Sequence, residues 1–181
     1  MKYMAQVKQE IRKKIGILGG TFDPAHKGHI KISKEAKKRF GIEKIIWAVT
    51  KKNPFKSETL FSLRERIAIG KKITKKYNFI SIKFYEEKIK SNKTIDLINY
   101  LKKKNSKFEI FFLMGADNLI NFHKWYKWKA ISSKCNILVF DRKNYKSKSL
   151  KSKAFKKLNS KGLTFIKFKK INISSSKLRK I

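Results

Sequence analysis

Two histidines three residues apart, His26 and His29, close the stretch GGTFDPAHKGH at residues 19–29. Side chains at that spacing share one face of a helix. A helix N-terminus offers unpaired backbone N–H groups and the positive end of the helix dipole. Two imidazoles added to that end make a site for phosphate oxygens. Gly19 and Gly20 let backbone approach a ligand closely, and Asp23-Pro24 is turn and helix-start chemistry. A zinc site on the same pair would need a third and a fourth ligand, and the one histidine left is His123. Phosphate binding is therefore the stronger reading, and no metal ligands are assigned.

The segment Ile173-Ser174-Ser175-Ser176-Lys177-Leu178-Arg179 is the second candidate. Serine hydroxyls and backbone N–H groups at a helix start can cradle an anion, and Arg179 can clamp one bidentately. By itself the segment reads better as a serine N-cap beside a surface arginine. Together with the histidine motif it reads as the other side of a phosphate site. Cys135, in the apolar stretch CNILVF, reads as a buried and inert thiol.

The elements that must position these residues alternate between strand and helix. Ile15–Leu18 reads as a buried strand ended by Gly19-Gly20, and residues 27–40 as a helix with Ile32, Ala36 and Phe40 on one face. Lys44–Val49 is the next strand, Asn53-Pro54 marks a loop, and Ser62–Tyr77 is a helix with Leu63, Ile67, Gly70, Ile73 and Tyr77 aligned. Phe79–Tyr85 (strand), Thr94–Lys103 (helix) and the very apolar strand Phe108–Met114, ended by Gly115, follow. Two short helical stretches are expected within Asn118–Ser132, a strand at Cys135–Phe140, a mobile Lys/Ser-rich segment at Arg142–Lys161, a last strand at Leu163–Phe168 and a helix start at Ser174. This pattern predicts a single-domain, Rossmann-like, doubly wound α/β fold with a mainly parallel sheet. Ligands in such sheets bind beyond the carboxyl ends of the strands, where both candidate motifs fall.

Composition bounds the function classes. The 181 residues are 41% hydrophobic and 13% aromatic, enough for one folded domain. The expected organisation is a polar lead-in over residues 1–13 and one domain over 14–181. The longest apolar run, Ile110–Ala116, falls far short of the roughly 18 residues of a membrane span. The charged start MKYMAQVKQEIRKK lacks the apolar stretch of a signal peptide, so a soluble, cytoplasmic protein is expected. A single cysteine leaves no internal disulfide and no cysteine zinc cluster.

Lys plus Arg number 48 against 12 Asp plus Glu, a net charge of +36. Six of the 48 are arginines and 42 are lysines. Arginine is the residue suited to bidentate phosphate and base contacts, so the excess reads as compositional drift. A dedicated nucleic-acid partner is not expected.

GGTFDPAHKGH and ISSSKLR resemble the two signature motifs of the nucleotidyltransferase superfamily with the H-x-G-H motif, and within it those of the bacterial nicotinate-nucleotide adenylyltransferases. Asn53-Pro54-Phe55-Lys56 resembles that family's substrate loop, Leu113–Asn118 its G-x-D segment, Phe122–Trp125 its aromatic segment, and Val139–Arg142 its late strand. The similarity spans residues 14–181, with the motifs in the family's order. Ser176 stands where the family usually has threonine, and Leu178 where it has isoleucine. The chain ends two residues after Arg179, so a last helix of barely a turn is expected.

The resemblance implies adenylyl transfer from ATP to nicotinate mononucleotide, giving deamido-NAD and pyrophosphate in NAD biosynthesis, with Mg²⁺ carried on the ATP phosphates. It implies catalytic roles for His26, His29 and Arg179. ATP contacts fall to Gly19, Gly20, Thr21, Phe22, Gly115, Asp117, Ser175 and Ser176, and nicotinate mononucleotide contacts to Lys56, Thr94 and Trp125. Core packing is the alternative for Trp125 and helix capping for Asp117. Two rival functions share the motifs or the charge: a phosphopantetheine adenylyltransferase, whose first motif usually has threonine in place of His26, and a non-catalytic nucleic-acid-binding protein on the same fold. A homo-oligomer is compatible with the sequence.

Overall fold

The computed structural model describes residues 12–52, 58–104, 106–159, 161–167 and 175. Its centre is a six-stranded sheet in the order β3-β2-β1-β4-β5-β6, with β1 at Lys13–Gly20, β2 at Lys44–Val49, β3 at Ile80–Phe84, β4 at Phe108–Gly115, β5 at Asn136–Phe140 and β6 at Leu163–Ile166. Every neighbouring pair is parallel. The chain winds outward from β1 through β2 and β3, then returns to β4 on the other side of β1 and winds outward again. The direction therefore reverses between β1 and β4, and beyond their carboxyl ends this topology opens its binding crevice.

Successive residues of a strand point to opposite faces, and each central strand shows it. Ile17, Phe112 and Val139 enter one buried cluster, whereas Leu18, Leu113 and Phe140 enter the other. The first face is covered by α4 (Thr94–Lys104), α5 (Ala116–Asn121), α6 (Trp128–Lys134) and α8 (Lys153–Leu158). The second is covered by α1 (Lys27–Phe40) and α2 (Leu63–Thr74). Close approach of β1 to its neighbours needs Gly16, where a Cβ would lie 3.0 Å from Ile45 Cγ1 and 3.2 Å from Leu113 Cδ1.

Several expectations shift at their edges. β1 does not stop before Gly19-Gly20 but pairs through them, with Gly20 opposite Val49. α2 ends at Thr74 rather than Tyr77; it starts from Ser62, whose Oγ accepts Glu65 N–H while the Glu65 carboxylate accepts Ser62 N–H. A short helix α3 (Glu86–Ile89) precedes α4, in a polar stretch with no apolar periodicity to reveal it. The two helices expected within Asn118–Ser132 are α5 and α6, with a 3₁₀ turn at Phe122–Lys124 between them.

The largest departure is Arg142–Lys161, read from sequence as mobile. It folds into α7 (Lys146–Leu150) and α8, and buries Ser149, Ser152, Ala154 and Leu158. Ser152 Oγ caps α8 by accepting Phe155 N–H at 3.2 Å. The inward residues are few, only Leu158 among them is strongly apolar, and lysines between them mask their spacing. No helix among the described residues is long and apolar enough to cross a membrane. Of the expected lead-in only Arg12 and Lys13 are described, and Lys13 already belongs to β1; the Asn53–Lys56 loop and most of the last motif lie outside the described residues.

Candidate active site

β1 delivers the chain to Thr21 at the mouth of the crevice, and α1 starts six residues later. Between them Phe22 takes a positive φ of 50° and turns its ring inward, where it is 3% exposed. That ring stacks on the fully buried Trp47, 5.1 Å between centroids and 6° from parallel, and lies 4.8 Å from the His29 ring. Trp47 is fixed in turn by its Nε1–H, which donates to Ser33 Oγ at 2.9 Å. The Phe22 side chain is therefore part of the core, and any ligand contact of this residue would be through its backbone.

His26 is the N-cap of α1. Its Nδ1 accepts Gly28 N–H at 3.1 Å, and His29 Nδ1 accepts the His26 N–H at 3.1 Å. The two rings lie 3.9 Å apart between centroids. A ring nitrogen that accepts a hydrogen bond carries no proton, so both imidazoles hold theirs on Nε2. The reciprocal cap thus sets both tautomers and makes each Nε2 a donor. No acidic residue sits in the first turn of α1 to offset the dipole there. The site that results presents N–H groups suited to phosphate oxygens.

Ser175 Oγ donates to Pro24 O at 2.9 Å. This contact joins Ser175 to the turn that carries the histidines. Ser176, Arg179 and Lys56 lie outside the described residues.

At the end of β4, Gly115 precedes α5, and a Cβ there would lie 2.5 Å from Asp117 Oδ1. Asp117 Oδ2 accepts from Arg142 Nη1 at 2.5 Å, while Oδ1 is buried with no hydrogen-bond partner. The N-cap of α5 is Gly115, with no side-chain cap, so Asp117 is not capping that helix. Its unmatched oxygen is an acceptor suited to a ligand hydroxyl.

Thr94 begins α4 and is half-buried. Trp125 follows the 3₁₀ turn on the same face of the sheet, half-buried, with its ring edge-on to Phe112 at 6.0 Å and to Phe122 at 5.3 Å. It packs on the core while keeping exposed ring surface.

Two arginines were overlooked by sequence reasoning. Arg142 orients Asp117, a role shown neither by its place just past a strand end nor by the resemblance of Val139–Arg142 to the family's late strand. Arg66 is 1% exposed and donates to the backbone around the crevice. Burial pulls its guanidinium down from the ordinary value, and the Asp23 and Glu86 carboxylates oppose that shift. Glu86, half-buried, has its carboxyl pushed up by burial, against the Lys51 N–H and the charges of Lys51 and Arg66. Asp23 is 1% exposed and serves the turn, accepting Leu60 N–H and Phe61 N–H at 3.0 Å each. Among the described residues no three of His, Cys, Asp and Glu gather into a group that could hold a metal ion.

Known proteins resemble this chain in sequence and in fold. The family model described as cytidylyltransferase-like matches residues 17–181. A Pelagibacter ubique protein named "Probable nicotinate-nucleotide adenylyltransferase" is 66% identical over 170 residues, covering 94% of each chain. A Bradyrhizobium protein (strain ORS 278) of the same name is 40% identical over 130 residues, 71% of this chain and 67% of its own. Among solved structures, the nicotinic acid mononucleotide adenylyltransferase of Plasmodium falciparum complexed with NaAD superposes with a TM-score of 0.74. That match has 22% identity and covers 93% of this chain and 83% of the other, so it speaks for the fold.

Proposed function

The chain belongs to the cytidylyltransferase-like family, in its nicotinate-nucleotide adenylyltransferase branch, and from that premise we propose that it transfers the adenylyl group of ATP to nicotinate mononucleotide. The 5′-phosphate of the acceptor attacks the α-phosphorus of ATP, the bond to the bridging oxygen breaks, and pyrophosphate leaves. The product is deamido-NAD, an intermediate of NAD biosynthesis made where ATP is abundant, in the cytoplasm.

The observation that carries this reading is the contact of Ser175 Oγ with Pro24 O, which sets that serine against the histidine turn. A phosphate chain laid between them meets donors from both sides. His26 and His29 donate from Nε2, with His29 acting chiefly on charge that develops in the transition state. Gly19, Gly20, Thr21 and Phe22 line the turn with backbone. Ser175, Ser176 and Arg179 hold the phosphates from the other side. The free Asp117 oxygen accepts from a ribose hydroxyl of the adenosine, with Gly115 giving it room. Thr94 and the exposed part of the Trp125 ring take the nicotinate, and Lys56 attracts the phosphate of that substrate. A Mg²⁺ ion carried on the ATP phosphates would offset phosphate charge there. Catalysis is then positioning plus charge stabilisation, with no covalent enzyme intermediate.

The test is isotopic. With ATP labelled at the α-phosphate and nicotinate mononucleotide present, the label should move into a dinucleotide, and γ-label should appear in pyrophosphate. Label on the protein, or in free AMP without dinucleotide, would overturn the reading.

A further inference from the structure

Arg66 is a cation buried in a chain that can place its charge almost anywhere on the surface. Burying a guanidinium is costly unless its donors are paired, and here they are. Nε donates to Phe61 O at 3.0 Å, Nη1 to Thr21 O at 2.6 Å and to Thr50 O at 2.8 Å, and Nη2 to Lys51 O at 3.1 Å. Those four carbonyls lie on three segments: the turn after β1, the end of β2, and the stretch entering α2. Asp23 closes the same junction by accepting Leu60 N–H and Phe61 N–H.

What lies next to the held carbonyl gives the arrangement its meaning. Thr21 is followed by Phe22, the residue with positive φ whose ring lies 4.8 Å from the His29 ring. The guanidinium, the Thr21 carbonyl, the Phe22 ring and the His29 imidazole thus form one continuous chain of contacts. The same guanidinium ties Lys51 and Phe61, either side of the β2–α2 connection, to that turn. A lysine ammonium is a point charge and lacks the planar fork that reaches three segments at once.

We propose that Arg66 is a positioning residue for the adenylyl transfer, fixing the Thr21–Phe22 turn that seats His29 and so aiming the His29 Nε2–H at the reacting phosphate. The transfer itself rests on the function proposed above; the placement of His29 does not.

Arg66→Lys and Arg66→Gln test it, each compared with the unaltered chain well below the melting temperature. Three quantities are read: cooperative unfolding, kcat and KM for pyrophosphate release from ATP and nicotinate mononucleotide, and the NMR resonance of the His29 ring proton without substrate. Both variants should unfold cooperatively. Their kcat should fall by about 100-fold, the cost of misplacing a reacting group by about 1 Å, with KM for ATP changed less than about threefold. The His29 resonance should shift as the ring moves relative to Phe22 and Trp47. A lowered melting temperature with kcat and the resonance unchanged would overturn the proposal and leave Arg66 a purely structural residue. Failure of both variants to fold would overturn it equally, because the side chain would then serve the fold as a whole. An inactive unaltered chain would instead sink the proposed function, and the His29 resonance would still decide the role of Arg66.

Discussion

His29 does two jobs that one substitution can separate. Its Nδ1 accepts the His26 N–H at 3.1 Å and closes the reciprocal cap of α1, which leaves the ring proton on Nε2, the donor proposed for the phosphate. In His29→Asn the side-chain oxygen reaches about as far as Nδ1 and accepts the same N–H, but nothing replaces Nε2. In His29→Ala both functions go. Loss of an N-terminal cap costs about 1 kcal/mol, which for a chain of this size lowers the melting temperature by about 2–4 °C. Loss of one preorganised donor to a developing oxyanion costs about 2.7–4 kcal/mol, or 10²–10³ in kcat. Both variants lose the ring contacts with Phe22 and Trp47, so the cap is read from the difference between them: each should turn over about 10²–10³ more slowly, and His29→Ala should melt about 2–4 °C below His29→Asn. Circular dichroism melts and continuous pyrophosphate release measure the two quantities on the same samples. A His29→Asn enzyme with unaltered kcat would refute the reasoning, since the cap alone would then explain the histidine.

Three further outcomes follow from single sites. Gly70 lies inside α2, and a Cβ there would meet only Ile82 side-chain atoms at 3.5 Å, an ordinary contact. Gly70→Ala should stabilise the fold by about 0.5–1 kcal/mol, seen as a higher melting temperature. Gly115→Ala would push a Cβ against Asp117 Oδ1 and displace the carboxylate from Arg142; KM for ATP should rise about 10–100-fold, the worth of one hydrogen bond to a charged group. Burial pushes the Cys135 thiol up to about 12, so a disulfide reagent at about pH 8 should label it only in denaturant. Because folding raises that value above the unfolded one near 8.5, stability should fall as pH climbs from about 8.5 toward 12. Cys135→Ala should flatten that alkaline loss in a titration of unfolding free energy.

The parts of the molecule legible in the sequence are those with a repeating or local signal. Phe108–Gly115 is almost wholly apolar because a central parallel strand is covered on both faces. His26 and His29 could be placed at a helix start because Asp23-Pro24 and the glycine pair frame them. Their tautomers could not, because these depend on backbone N–H groups that line up only once α1 is formed. Arg66 was hidden for a related reason. Its apolar neighbours Leu63, Ile67 and Gly70 define the inward face, and a charged residue beside that face reads as solvent-exposed until its carbonyl partners arrive from distant segments. Asp117 and Arg142 are 25 positions apart, and only the parallel pairing of β4 with β5 brings them together. In Arg142–Lys161 the buried Ser149, Ser152, Ala154 and Leu158 are set among many lysines, and serine and alanine carry little hydrophobic signal, so no apolar face stands out.

The most direct test of the account is pyrophosphate release from ATP with Mg²⁺, offered nicotinate mononucleotide, nicotinamide mononucleotide or phosphopantetheine as separate acceptors. Release with nicotinate mononucleotide, and far less with the other two, is the predicted result. Release with phosphopantetheine alone would keep the phosphate site and contradict the acceptor. Silence with all three would contradict adenylyl transfer itself.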